Sequence, residues 1–239
     1  MQMDHARFWG RRCSSTAERW RDRLKASWCP STARFIATKL AQKFVSDEPP
    51  QSLVERLAGT FSASYGDLSR VYADLFASPE FAASAEQKTK TPLEFVLSAL
   101  RAVGASYDGS KPLAKVLEQM GQPLYQAEAP TGYREVASAW VNAGGLVARL
   151  NFALSLAENS LEGVHFEQAS LLGDLEGAPA DWLDRLAMRV LVPPLSESTR
   201  RTIVATLARE AETKPPDDGL VLQRQALGLL LGSPEFQRQ

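Results

Sequence analysis

The chain has 239 residues, 44% of them hydrophobic and 23% charged, with a formal net charge of −1. That length allows one large or two small domains and buries a core without staples, and the near-neutral balance argues against a dedicated nucleic-acid binder. The two cysteines, Cys13 and Cys29, are too few for a disulfide framework and lack metal or redox spacing. No apolar run approaches the roughly 18 residues of a transmembrane helix. Arg11-Arg12 does not open a twin-arginine export signal, because Cys13–Arg19 is polar where an apolar segment is required. As written, the sequence is expected in the cytoplasm; a preceding segment with a signal would make it exported.

Residues 1–29 are atypical and basic. Arg7, Arg11, Arg12, Arg19, Arg21, Arg23 and Lys25 face only Asp4, Glu18 and Asp22. Ala17, Trp20, Leu24 and Trp28 fall on one helical face. Three readings stay open: an amphipathic helix for a membrane surface or acidic partner, a poorly packed tail, or sequence outside the native frame.

From Pro30 the pattern is helical, giving a domain over 30–239. Phe35, Ile36, Leu40 and Phe44 form the first apolar stripe, broken by Asp47-Glu48-Pro49-Pro50. Leu53, Val54, Leu57 and Phe61 mark a second helix. Gly66-Asp67 is a break and a cap, and Leu68, Val71, Tyr72 and Leu75 make a third stripe. Thr91-Pro92 opens a helix bearing Leu93, Val96, Leu97, Leu100 and Val103, and Pro112 starts a shorter one with Leu113, Val116 and Leu117. Residues 121–133 have no period and read as an ordered loop. After Asn142, Leu146, Val147, Leu150, Leu154, Ala157 and Leu161 describe the expected longest helix. Residues 162–178 are ambiguous. Trp182, Leu183, Leu186 and Val190 are helical, Ser196 or Ser198 caps the next helix, and 220–232 is the last sizeable one.

The stretch Leu75–Phe81 (LFASPEF) returns as Leu230–Phe236 (LLGSPEF). Ser supplies a cap, Pro loses nothing at the first helical position, and Glu sits against the positive end of the helix dipole. Each copy follows two helical stripes. Either this is a weak internal repeat of a helix pair plus a short third helix, or capping chemistry has produced the same residues twice. With no strand alternation, the fold class is all-α: a multi-helix orthogonal bundle of about nine to eleven helices.

Blocks in the same order identify a resemblance. Pro30–Leu40 (PSTARFIATKL), Phe44–Pro50 (FVSDEPP), Lys90–Val96 (KTPLEFV), Met120–Leu124 (MGQPL), Pro130–Tyr133 (PTGY), Leu150–Ala153 (LNFA) and Ser233–Gln237 (SPEFQ) resemble the bacterial domain-of-unknown-function 1800 family. The resemblance implies a mostly helical protein corresponding to the C-terminal half of a longer architecture. It also implies export for many members and a sulfatase-like companion protein encoded nearby. It supplies no activity and no catalytic residue. Cys29 stands where the family usually has His, and upstream of it the resemblance stops, as a truncated or frame-shifted gene start would explain.

Catalytic constellations are scarce. His5 and His165 are the only histidines, and no Gly-x-Ser-x-Gly elbow accompanies them. Glu162-Gly163-Val164-His165 matches one Glu-x-x-His of di-metal helical proteins, but such sites need two plus further Glu residues. Gly104–Lys111 misses the phosphate-binding loop, with Ser and Lys in the wrong order and a helix where a strand should precede. No catalytic residue, metal set or cofactor is assigned. Asp174, Glu176, Asp181 and Asp184 read as a solvated face.

The best recognition surface is 121–142, where Tyr125, Tyr133 and Trp140 offer stacking faces and Thr131 and Asn142 offer hydrogen bonds. Alternatively, Tyr133 and Trp140 cover the core with their polar tips satisfied. The expected function is a helical binding or scaffold module with a protein or glycan partner. The alternative is part of a hydrolytic enzyme whose active site needs an N-terminal half not present here.

Overall fold

The computed structural model describes residues 30–213 and 219–239. The expectations placed on 1–29 lie outside the described residues. The described chain holds twelve α-helices, one 3-10 turn and a two-stranded ladder, so it is all-α as expected. The helices fall into two compact units, one up to Ala85 and one over Glu86–Gln239.

The first unit contains α1 (Pro30–Phe44), α2 (Gln51–Ala63), α3 (Leu68–Phe76) and α4 (Pro79–Ala82). Leu53, Val54, Leu57 and Phe61 of α2 are all buried, as their spacing requires. The stripe on α1 is displaced from the expected one. Ala33, Ala37 and Ala41 form its buried face, while Phe35 is 54% exposed. Three alanines at i, i+4 and i+8 let α1 lie close to α2, which larger side chains would prevent. Asp67 caps α3 by accepting from Ser69 N and Arg70 N. Val71 and Leu75 are buried, but Leu68 is exposed. Phe44, Tyr72, Phe76 and Phe81 extend this core as a chain of ring contacts with centroids 5.0–6.0 Å apart.

The second unit contains α5 (Pro92–Ala102), β1 (Ser106–Tyr107), α6 (Pro112–Gln119), a 3-10 turn (Ala137–Ala139) and α7 (Ala143–Ala157). It continues with β2 (Val164–His165), α8 (Gln168–Leu172), α9 (Pro179–Val190), α10 (Glu197–Thr213), α11 (Gly219–Leu231) and α12 (Pro234–Gln237). The longest described helix is α10, at 17 residues against 15 for α7, which corrects the expectation. The ambiguous 162–178 stretch supplies β2 and α8. β2 pairs antiparallel with β1, placing Ser106 opposite His165. Gly163 permits this approach: its φ is +72°, and a Cβ there would lie 2.3 Å from Asp108 Oδ1. The rejected phosphate-loop stretch is therefore the β1 turn, with Asp108 Oδ1 accepting from Ser110 N at 2.8 Å.

Lys88–Lys90 run beside the last residues of the chain. Lys88 N donates to Gln239 O, Gln239 N to Lys88 O, and Lys90 N to Gln237 O, at 3.2, 2.8 and 2.8 Å.

The two Ser-Pro-Glu-Phe copies are the same device. Ser78 and Ser233 accept from the backbone N–H of Phe81 and Phe236 at 3.1 and 3.3 Å. In each copy the Glu then reaches back to the first helix of its own trio. Glu80 takes two hydrogen bonds from Arg56 of α2, at 2.8 and 3.3 Å. Glu235 accepts from Ser196 and Thr199 at the start of α10, at 2.5 and 2.9 Å. The helix-pair-plus-short-helix arrangement thus recurs with its tie, although the partners differ chemically.

Candidate functional site

The site is built where the 121–142 loop meets α5, through Leu93 N donating to Gln122 Oε1, and α7, through Trp140 O beside Gly145, with Phe236 of α12 packed edge-on against Phe95 of α5. Thr91 opens α5 with a complete capping box: Glu94 N donates to Thr91 Oγ1 at 3.4 Å, and Thr91 N to Glu94 Oε2 at 2.8 Å. The Glu94 carboxylate is consequently fixed at the start of α5, where its charge acts on two cations, Lys90 and Arg149. Lys90 Nζ donates to Phe236 O at 2.6 Å and lies 4.2 Å from the Phe236 ring centroid. Burial pushes Lys90 down to about 8, with Glu94 opposing that shift and Arg149 adding to it. Arg149 comes from α7 and is 1% exposed. Its Nη2 donates to Lys90 O at 2.7 Å, its guanidinium lies 5.1 Å from the Phe95 ring centroid, and Nη1 has no partner. Burial pushes Arg149 down to about 10, against the pull of Glu94.

Sequence periodicity placed Leu146, Val147 and Leu150 on the buried side of α7. The structure turns the first half of the helix the other way, while Ala157 of the expected stripe is buried. Gly145, Arg149, Phe152, Ala153, Leu156 and Ala157 face the core, while Leu146, Val147 and Leu150 are 39%, 58% and 38% exposed. Gly145 makes this possible, since a Cβ there would lie 2.8 Å from Trp140 O. The only sequence hint was Arg149 itself, at the spacing of the buried face from Gly145, Phe152 and Leu156; a charged side chain there reads as solvent-facing on composition alone.

The loop residues separate by role. Trp140 is 4% exposed, donates Nε1–H to Arg134 O at 3.0 Å, and meets the Tyr133 ring edge-on at 5.8 Å. Tyr133 donates its hydroxyl to Pro123 O at 2.5 Å. Asn142 caps α7, its Oδ1 accepting from Gly145 N at 2.8 Å. Thr131 is exposed. Tyr125 stands fully in solvent with φ +60°, a conformation that a bulky residue adopts at a cost. The contacts from Pro123 through Tyr133 and Trp140 to Gly145 link the Tyr125 corner to the start of α7.

Among the described residues, no group of three or more His, Cys, Asp or Glu side chains is placed to hold a metal ion. His165 is exposed on β2. The carboxylates expected on a solvated face are exposed, and two of them are paired. Asp174 is bridged by Arg189 at 2.6 and 2.8 Å, which holds its carboxyl below the usual range, and Asp184 is paired with Arg200 at 3.0 Å. No helix among the described residues is long and apolar enough to cross a membrane.

The chain matches a family model described as a protein of unknown function, DUF1800, over residues 6–238, and it belongs to that family. The match begins ahead of Pro30, where the blocks recognised in the sequence begin. No curated protein and no solved structure matched the chain.

Proposed function

We propose that this chain is a helical protein-binding module whose partner covers the outer face of α7 and contacts the neighbouring 121–142 loop. The reading is carried by the inverted burial of α7: Leu146, Val147 and Leu150 are exposed while Arg149 is enclosed. An isolated helix would gain by the opposite arrangement, because apolar burial is favourable and a buried cation is costly. A partner on the outer face removes that disadvantage. Tyr125 suits the rim of such a contact, being a rigid amphipathic side chain held outward. In this reading Tyr133, Trp140 and Asn142 shape the surface, and Thr131 and Tyr125 touch the partner.

A photo-crosslinking residue at Val147 or Tyr125 in cells of the source organism tests it. A discrete protein adduct is expected from both positions and not from Met188, which is exposed on α9. No adduct from Val147, the same adducts from Met188, or an adduct made only of carbohydrate would overturn it.

A further inference from the structure

Between α1 and α2 runs a groove of about 670 Å³, lined from Pro30 to Thr38 on α1 and from Glu55 to Ser62 on α2. Arg34 pairs with Glu55 across it at 3.5 Å, and Thr38 Oγ1 donates to Arg34 O at 2.7 Å. None of its described lining residues carries a buried side-chain polar atom without a partner. The surface left for an occupant is apolar: Ala58, Gly59 and the ring of Phe35, which is 54% exposed.

Gly59 stands between Glu55 and Ser62, in the interior of α2. A glycine there weakens the helix relative to alanine. No positive φ asks for it, and none of the described residues comes within 4 Å of a Cβ built on it. Close approach of another segment is what such a glycine accommodates. Pro30 lines the groove as well, so the chain ahead of it is attached at the groove itself. The family match begins at residue 6, which places that preceding stretch within the matched domain.

We propose that residues 17–28 of this same chain fold back onto the groove as its occupant, with Trp20, Leu24 and Trp28 seated in it. By their spacing these three and Ala17 share one helical face, with Arg19 and Asp22 opposite, where they stay in water. The step from Trp20 to Trp28 equals that from Pro30 to Thr38, about 12 Å along a helix, so stripe and groove match in length. Proline disfavours helical geometry in the residue before it, so the segment turns back at Pro30 instead of prolonging α1. Indole rings bring the large apolar area that such a groove leaves uncovered. The tether favours this occupant over a free one, because a short linker gives an effective concentration on the millimolar scale. The proposal draws on no residue of the α7 partner face.

Tryptophan fluorescence of the full chain tests this. Trp140 and Trp182 are buried, so the difference between wild type and a Trp20→Phe, Trp28→Phe variant reports the two proposed anchors. Their emission should be blue-shifted and shielded from acrylamide, in a species of monomer mass by light scattering. Gly59→Leu raises helix propensity and meets none of the described residues at its Cβ, so on an empty groove it would raise Tm. Under a seated segment it should lower Tm and expose both indoles to acrylamide. Leu24→Asp should do the same, and the double variant should lose no more than either single one. If circular dichroism shows that Gly59→Leu unfolds the chain, Leu24→Asp decides. Freely quenched indoles, a neutral or raised Tm for Gly59→Leu, no effect of Leu24→Asp, or additive losses would overturn the proposal. So would shielding that is lost on dilution to monomer, which assigns the groove to a second copy, or shielding that arises only with phosphatidylglycerol vesicles, which assigns the segment to a membrane surface.

Discussion

The guanidinium of Arg149 lies 5.1 Å from the Phe95 ring centroid and is 1% exposed, so a charged residue occupies a core position of α7. Removing it exposes two costs at once: a cavity, and a Lys90 carbonyl that loses its donor. Arg149→Ala should therefore destabilise the second unit by about 2–4 kcal/mol. Arg149→Met should recover at least half of that loss, because the thioether chain fills the space and the desolvated charge is gone. Urea unfolding midpoints of the two variants check this; equal destabilisation by both would contradict it.

Lys90 gives a pH signature. Burial lowers its folded pKa to about 8 from the ordinary 10.5. The unfolded chain then binds more protons between those values, so stability rises with pH across that window. Below about pH 8 the penalty is constant. Lys90→Met should lack this rise, and the wild type should gain about 1 kcal/mol on it between pH 8 and 10, a figure discounted for partial exposure. Parallel curves for the two proteins would refute the assignment.

Much of the fold was legible because its signals are local. Asp67, Thr91, Asn142, Ser78 and Ser233 all cap helices, as their residue types and positions indicated. Faces were harder. On α1 the close contact uses Ala33, Ala37 and Ala41, and a reading weighted toward large apolar residues chose Phe35 instead. On α7 the same weighting chose Leu146 and Val147 over Gly145 and Arg149. In both helices the packed face is marked by small size or an enclosed charge, neither of which periodicity of hydrophobicity registers. The candidate loop was legible as an ordered segment. The division of labour within it, Trp140 inward and Tyr125 outward, depended on hydrogen bonds to backbone carbonyls that residue types do not announce.

Glu235 ties α12 to the start of α10. Burial works to raise its carboxyl, but hydrogen bonds from Ser196, Thr199 and backbone N–H groups outweigh it and hold the carboxyl below its usual range. A depressed folded pKa contributes stability above the unfolded value, lost as pH falls through the folded one. Glu235→Ala should lower stability by about 1–2 kcal/mol at pH 7, and the difference from wild type should shrink as pH drops below about 4. Thermal unfolding at pH 7 and at pH 3 measures both arms; an undiminished difference at pH 3 would contradict it.

Gly228→Ala isolates a close packing contact. Alanine would favour the helix intrinsically by about 1 kcal/mol, but its Cβ would meet Leu154 Cδ2 at 2.7 Å and Leu154 Cα at 3.1 Å. The backbone atom cannot turn aside, so net destabilisation of about 1–3 kcal/mol is expected. A thermal shift to lower temperature would agree; a neutral or stabilised variant would show that the two helices can separate freely.

The pairing of Lys88–Lys90 with Gln237–Gln239 has a consequence for the order in which the chain is made. Those two segments stand at opposite ends of the second unit, so helices α5 to α11 leave the ribosome before Lys90 can find Phe236 O or its strand partner. Local helices and their caps can form during synthesis, but this long-range closure waits for residues 236–239. Until then Lys90, together with Phe95, lacks the ring and carbonyl of Phe236 that cover it in the finished molecule. Purified chains that stop just short of residue 236 should accordingly be cut by protease within the second unit far more readily than the 239-residue chain with the pairing complete.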